Sequence, residues 1–290
     1  MAHDESLNWY EQLPYGREEF QSRVLGFGLD LYRDLPWRRT TDPYAIWVSE
    51  VMLQQTQVSR VDGRWQAWLE RFPTVASLAE ANRADVLEEW QGMGYNRRAL
   101  ALKRAAESIA EIGEFPRESK DLEALPGIGP ATAAGIRAFA FNLPGVYLET
   151  NVRTVFLHEL YPEVERVSDR TLKPLVAAAC PEEGARTWYY ALLDYGAHLK
   201  QTVPNPSRRS VTYAKQSTFE GSHRQRRSEV VRMLLAARPN SLSLTQVEEG
   251  LNEVERKAGR APVGTDEIRL VLTELTNEGF CIESSGRWVV

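Results

Sequence analysis

Two glutamates sit among neighbours that could give them chemistry to do. Glu50 is the only charged residue in YAIWVSEVMLQQTQ (44–57), and Gln54 follows it four residues later. On a helix, positions four apart share a face. A carboxylate in apolar surroundings has a raised pKa and can hold a proton near neutral pH, which suits a general acid. The plain alternative is a partly exposed helix glutamate. Glu149 lies in VYLETNVRTV (146–155), with Asn151 and Arg153 close behind it. Carboxylates are common at helix starts for dipole reasons alone, so a cap is the simpler account of Glu149. A third stretch, LPGIGPATAAGI (125–136), places Gly127 and Gly129 before Pro130 and a run of small apolar residues. Pro130 fits the first position of a helix. The first N–H groups of such a helix lack partners and favour negative charge, so a phosphate would satisfy both demands. A tight helix–helix turn would explain the glycines equally well.

The elements that must position these residues are mostly helices. Apolar positions recur at helical spacing over 17–33, 43–58, 60–71, 75–80, 83–91, 96–112, 119–124, 130–141, 149–161, 168–179 and 184–199. FPT (72–74), GMG (92–94) and FPR (115–117) punctuate them. The polar stretch 201–222 contains two prolines and reads as a linker. Beyond it, 223–237, 244–258 and 264–278 predict three helices. FCIES and RWVV (280–284, 287–290) flank Ser285-Gly286 as a hairpin, the pattern of a winged helix.

Composition sets outer bounds. The 290 residues are 43% hydrophobic, enough for a sizeable core and roughly two domains. A net charge of −5 leaves no global basic signature, so any nucleic-acid surface must be local. Two cysteines, Cys180 and Cys281, exclude a four-cysteine cluster within the chain. His158 and His198 lack metal-ligand spacing, so no metal site is expected. No apolar run approaches the roughly 20 residues of a membrane span. The acidic, polar start MAHDESLNWYEQ fits neither a signal nor a transit peptide, so a cytoplasmic location is expected; a monomer is expected as well.

Taken in order, SEVMLQQTQV (49–58), GMGYNRRALAL (92–102) and LPGIGPATA (125–133) resemble the helix-hairpin-helix DNA glycosylase superfamily (endonuclease III-like), adenine DNA glycosylase branch. The resemblance covers about residues 25–200. It implies a mainly α, two-lobed helix-hairpin-helix glycosylase fold with a DNA cleft over 1–202; composition and pattern add a basic linker over 203–222 and the winged-helix-like domain over 223–290. It implies a monofunctional glycosylase that flips a base out of lesion-bearing or mispaired double-stranded DNA and hydrolyses its N-glycosidic bond. The base would most simply be adenine; thymine or uracil opposite guanine, or a catalytically silent damaged-DNA binder, are the alternatives. Glu50 would be the acid facing the base, Glu149 the carboxylate steadying the sugar cation, and Asn151 its neighbour in the site. DNA contact would fall to Gln54, Gln55, Tyr95, Arg97, Arg98, Gly127, Gly129, Ala131, Arg208, Arg209 and Lys215.

Four departures qualify the resemblance. Glu149 stands where the superfamily carries aspartate, one methylene shorter, and Thr150 replaces the usual glycine. Ala131 replaces the lysine with which bifunctional relatives form a Schiff base. After ALLDYGAHL (191–199), where relatives begin a cysteine loop, the chain reads KQTVPNPSRR, so no iron–sulfur cofactor is expected. Residues 223–290 do not resemble the domain with which typical adenine glycosylases recognise 8-oxoguanine.

Overall fold

The computed structural model describes residues 14–214 and 217–290. In chain order, residues 14–55 form α1 (Arg17–Asp30), a 3-10 turn at Pro36–Arg38 and α2 (Pro43–Leu53). Residues 56–112 form α3 (Val58–Val61), α4 (Arg64–Arg71), α5 (Val75–Glu80), α6 (Arg83–Glu89) and α7 (Arg97–Ile112). Residues 113–214 form α8 (Ser119–Glu123), α9 (Pro130–Phe141), α10 (Thr150–Leu160), α11 (Asp169–Ala179), α12 (Ala185–Thr202) and a second 3-10 turn at Pro206–Arg209. The last segment forms α13 (His223–Ala236), β1 (Leu242–Ser243), α14 (Leu244–Lys257), α15 (Thr265–Asn277), β2 (Ile282–Ser284) and β3 (Arg287–Val289). Among the described residues no helix is long and apolar enough to cross a membrane.

The chain divides into two compact units. The first joins 14–55 to 113–214; the second joins 56–112 to 217–290. The first unit is mostly helices around one core. Helix α12 packs on α10 and α1, and α9 packs on α2. Its core gathers Phe20, Phe139, Phe156, Trp188, Tyr189 and Leu192, all nearly or fully buried. Two glycines let helices meet at backbone distance. A Cβ on Gly28 would run into Ala191, and one on Gly196 would stand 2.7 and 2.8 Å from the carbonyl carbon and Cα of Asn151. Residues 206–210 pack back on this unit: Val167 and Ser210 form a parallel bridge, and Pro206, Ser207 and Ser210 are buried.

The second unit holds the aromatic nucleus Trp68, Phe72 and Trp90 in edge-on contacts. Its C-terminal part is the expected three helices and hairpin. The sheet adds a strand that the hydrophobic pattern does not show, in the antiparallel order β1-β3-β2. A two-residue strand is too short to display alternation. Within this unit Arg97 pairs bidentately with Glu278 at 2.6 and 2.5 Å, and Arg238 reaches Asp85 and Glu88 at 3.1 and 3.4 Å.

One helix is shorter than its periodicity predicts. The stretch 43–58 stops at Leu53, and Gln54 to Gln57 turn the chain, with Gln55 in the left-handed region at φ 52°. Glutamines carry no turn signature, so the break is not visible locally. Gln54 is the C-cap of α2, not part of its body.

The Gly196 contact yields a direct test. Gly196→Ala should lower stability by about 1–3 kcal/mol, because overpacking against backbone outweighs alanine's better helix propensity. Urea unfolding of the variant reads this; a midpoint equal to or above that of the natural chain would contradict the packing.

Candidate active site

Helix α2 begins on Asp42, whose carboxylate accepts the N–H groups of Tyr44 and Ala45 at 3.2 and 3.1 Å. The helix is apolar nearly all round, and Tyr44 to Ser49, Val51 and Met52 are buried. Glu50 is thereby carried into a protein-lined environment, and the residue is only partly accessible. The Tyr147 hydroxyl donates to Glu50 Oε2 at 2.9 Å. Room for this pair is made by Gly135 in α9. A Cβ there would collide with the Glu50 carboxylate and stand 2.8 Å from the Tyr147 ring. Burial pushes the Glu50 pKa up to about 8. The Tyr147 hydrogen bond opposes the rise and the charge of Glu149 adds to it. At neutral pH Glu50 therefore holds a proton.

Glu149 is the N-cap of α10. Its Oε1 accepts the N–H of Asn151 and, at 2.8 Å, that of Val152. The Asn151 side-chain amide stands 3.5 Å from Oε2. One oxygen is thus committed to the helix, and the other keeps most of its acceptor capacity. Burial raises the Glu149 pKa; the two backbone N–H groups, Lys200 and Arg153 all pull against that rise. Arg153 itself is held bidentately by Asp169 at 2.9 and 2.8 Å. The cap and the chemistry expected at this position are therefore compatible: the same geometry that ends the helix fixes where the second oxygen points.

The glycine turn is also built as a site. Gly127 adopts φ 78°, a conformation that favours glycine, and Gly129 is the N-cap of α9. Both glycines are exposed while Ile128 between them is buried, which pins the turn to the core. No side chain caps this helix start, which has Pro130 and Ala131 in its first turn. Gln54 ties the end of α2 to this helix by donating to Thr132 Oγ1 at 3.0 Å.

The remaining expected residues are placed as follows. Gln55 is exposed in its left-handed conformation. In the second unit, Tyr95 is 40% exposed and left-handed at φ 49°. Arg98 lies beneath it, donating to the Met93 and Gly94 carbonyls at 3.2 and 3.0 Å and to Thr56 Oγ1 at 3.2 Å, with Trp90 and Tyr95 on its faces. Burial pulls its pKa down to about 10. Arg97 is engaged by Glu278, as described. Arg208 is exposed. Arg209 donates to the carbonyls of Leu157 and Tyr161 at 2.9 and 2.6 Å and to Pro162, closing the C-terminal end of α10. Lys215 lies outside the described residues. Three site residues escape sequence reasoning: Tyr147, Gly135 and Lys200. Only Gly135 carries a signal, as a lone glycine inside an alanine-rich helix, which marks close approach.

This geometry has counterparts. The first unit is a helical fold that carries two partly buried carboxylates and a glycine turn opening a helix. Residues 48–177 match the HhH-GPD superfamily of base excision DNA repair proteins. The chain is 41% identical over 169 residues to an adenine DNA glycosylase of Mycolicibacterium smegmatis, covering 57% of this chain and 58% of that protein. It is 40% identical over 147 residues to an adenine DNA glycosylase of Homo sapiens, covering 47% of this chain and 27% of that protein. Among solved structures, a thermostable thymine-DNA glycosylase superposes with a TM-score of 0.56 at 25% identity, covering 62% of this chain and 86% of that one. The chain is therefore similar to the HhH-GPD superfamily over residues 48–177. It spans little more than half the length of the first of these relatives, and less of the second.

The Glu50–Tyr147 contact makes its own forecast. Tyr147→Phe removes the bond that favours the carboxylate, so the Glu50 titration should move above about 8. Carboxyl-carbon NMR of the free protein, with the signal assigned by its loss in Glu50→Gln, reads the midpoint. A midpoint that falls in Tyr147→Phe would contradict the assigned roles.

Proposed function

We propose that this chain is a monofunctional DNA glycosylase of base excision repair that releases a flipped-out base, adenine from a mispair, by hydrolysis. The observation that carries the reading is the unequal pair of carboxylates in the first unit. Glu50 is held protonated by burial, and Glu149 is capped by N–H donors with one oxygen left over. The target nucleotide must leave the stack before its glycosidic bond can be reached. Glu50 then gives its proton to a ring nitrogen of the base as the C1′–N bond breaks and the bonding electrons leave with the base. The sugar cation that remains is steadied by the Glu149 carboxylate. A water attacks C1′ and passes a proton to Glu149. The products are the free base and an abasic sugar, and exchange of one proton resets the pair. The division of roles is that of glycoside hydrolysis.

Ala131 offers no amine for a Schiff base, which supports hydrolysis without strand cleavage. The chain has two cysteines, both buried, against the four thiolates of an iron–sulfur cluster. The donor set does not fit such a group, and no step runs through one. Backbone phosphate would meet the glycine turn and the uncapped start of α9. Gln54 and Gln55 of the first unit are read as DNA contacts, as are Arg208 and Lys215, and so, separately, is Tyr95 of the second unit. We read 203–222 as a basic connecting stretch, of which 206–210 packs on the first unit, and 223–290 as a winged-helix-like second grip on DNA.

A second reading, release of thymine or uracil opposite guanine, is favoured by the structural likeness to the thymine-DNA glycosylase. Single-turnover assays on a panel of mispaired duplexes, developed with alkali, separate the two. On an adenine mispair, Glu50→Gln should lose at least about 100-fold in base release while duplex affinity stays within a few-fold, because the amide keeps the shape but lacks the proton. Full activity of that variant on adenine, or release of pyrimidines alone, would overturn the adenine reading. Glu149→Gln should also abolish release. Glu149→Asp should be slower by about 10–100-fold, since a shorter side chain that still caps the helix withdraws the second oxygen. An undiminished rate in Glu149→Gln would remove position 149 from the mechanism.

A further inference from the structure

Helix α12 is pressed against the first turn of α10. Gly196 touches the backbone of Asn151 so closely that no side chain fits between them. Lys200 lies one turn further along α12, on the face that Gly196 defines, and is half-buried. There its charge acts on Glu149. Other charged and titratable groups surround that carboxylate. Arg153, on α10 itself, is taken up by Asp169. Glu50 of α2 and Tyr147 of the preceding segment both couple to Glu149, and Glu50 repels it. Beside Lys200, Arg33 is committed to Asp194. Among the described residues, the Lys200 ammonium makes no hydrogen bond or ion pair of its own. It is the cation near Glu149 whose charge is not already spent on another carboxylate.

We infer that Lys200 is a positioning residue that sets the charge of Glu149, holding it ionised while Glu50 stays protonated. The inference rests on the glycosylase reading, which gives that ionised state its use. The physical reason is direct. Two partly buried carboxylates that repel one another tend to share a proton. A half-buried ammonium beside one of them stabilises that one's charge, and so fixes which carboxylate is the acid and which the base. Lys200 does this from the last turn of α12, and Gly196 sets the depth at which that turn sits.

Without the cation, Glu149 keeps its proton to higher pH. In the free protein, the Glu149 carboxyl-carbon signal, assigned by its loss in Glu149→Gln, should titrate about one unit higher in Lys200→Met than in the natural chain. Lys200→Arg should keep the midpoint within a few tenths. Lys200→Gln serves the same purpose as Lys200→Met and is the choice if the methionine variant does not fold. An unchanged Glu149 midpoint in either folded neutral variant overturns the inference, whatever the activity. The same proteins assayed on the mispair panel separate the two ideas. A shifted midpoint in a chain that releases no base leaves the charge pairing standing and removes its catalytic use. Base release with no shift leaves the glycosylase reading standing and removes Lys200 from it.

Discussion

Two carboxylates within reach of each other's charge, in surroundings that disfavour charge, cannot both ionise cheaply. Glu50 and Glu149 are in that position, and the first unit resolves the conflict by treating them differently. Glu50 receives one neutral donor, the Tyr147 hydroxyl, and is left to burial. Glu149 receives two backbone N–H groups at a helix start, a field that favours negative charge, and the nearby Lys200. The asymmetry comes from where each residue falls on its helix. Glu50 is in the body of α2, where the backbone has no donors to spare. Glu149 is at the N-cap of α10, where it does.

Close packing holds this asymmetry in place. Three contacts depend on missing side chains: Gly28 against Ala191, Gly196 against Asn151, and Gly135 against Glu50 and Tyr147. Each brings a helix to a distance that a methyl group would forbid. Arg209 closes the other end of α10 by hydrogen bonds to its last carbonyls, so the helix that carries Glu149 is fixed at both termini. In the second unit, Arg98 does comparable work for Tyr95. It occupies the inside of the turn that holds Gly92, Gly94 and Tyr95 in left-handed conformations, and it bonds two of that turn's carbonyls.

Much of this was legible in the chain and some was not, for physical reasons. Helices carried by apolar periodicity, such as Arg97–Ile112 and Ala185–Thr202, are apparent because burying one face requires that spacing. The glycine turn and both glutamates announce themselves by residue type against context. The break after Leu53 does not, since Gln54 to Gln57 could continue a helix and tertiary contacts decide otherwise. Tyr147 and Lys200 come into play only through folding: 97 residues separate Tyr147 from Glu50, and nothing local marks either one. Cations are the least legible. Arg97, Arg98 and Arg209 read as equally available for phosphate, yet the fold gives each an internal partner, and partner choice is a long-range property.

The central claim is that base release needs Glu50 protonated and Glu149 ionised in the same molecule. The direct measurement is kcat/KM for adenine release from a mispaired duplex across pH, which reports the ionisations of the free protein. Glu50 must carry its proton, so the rate should fall as pH rises through about 8. Glu149 must be charged, so the rate should also fall as pH drops through its own pKa, giving a bell. A rate that keeps rising beyond pH of about 9, as a deprotonated group in the acid's place would produce, would contradict the account.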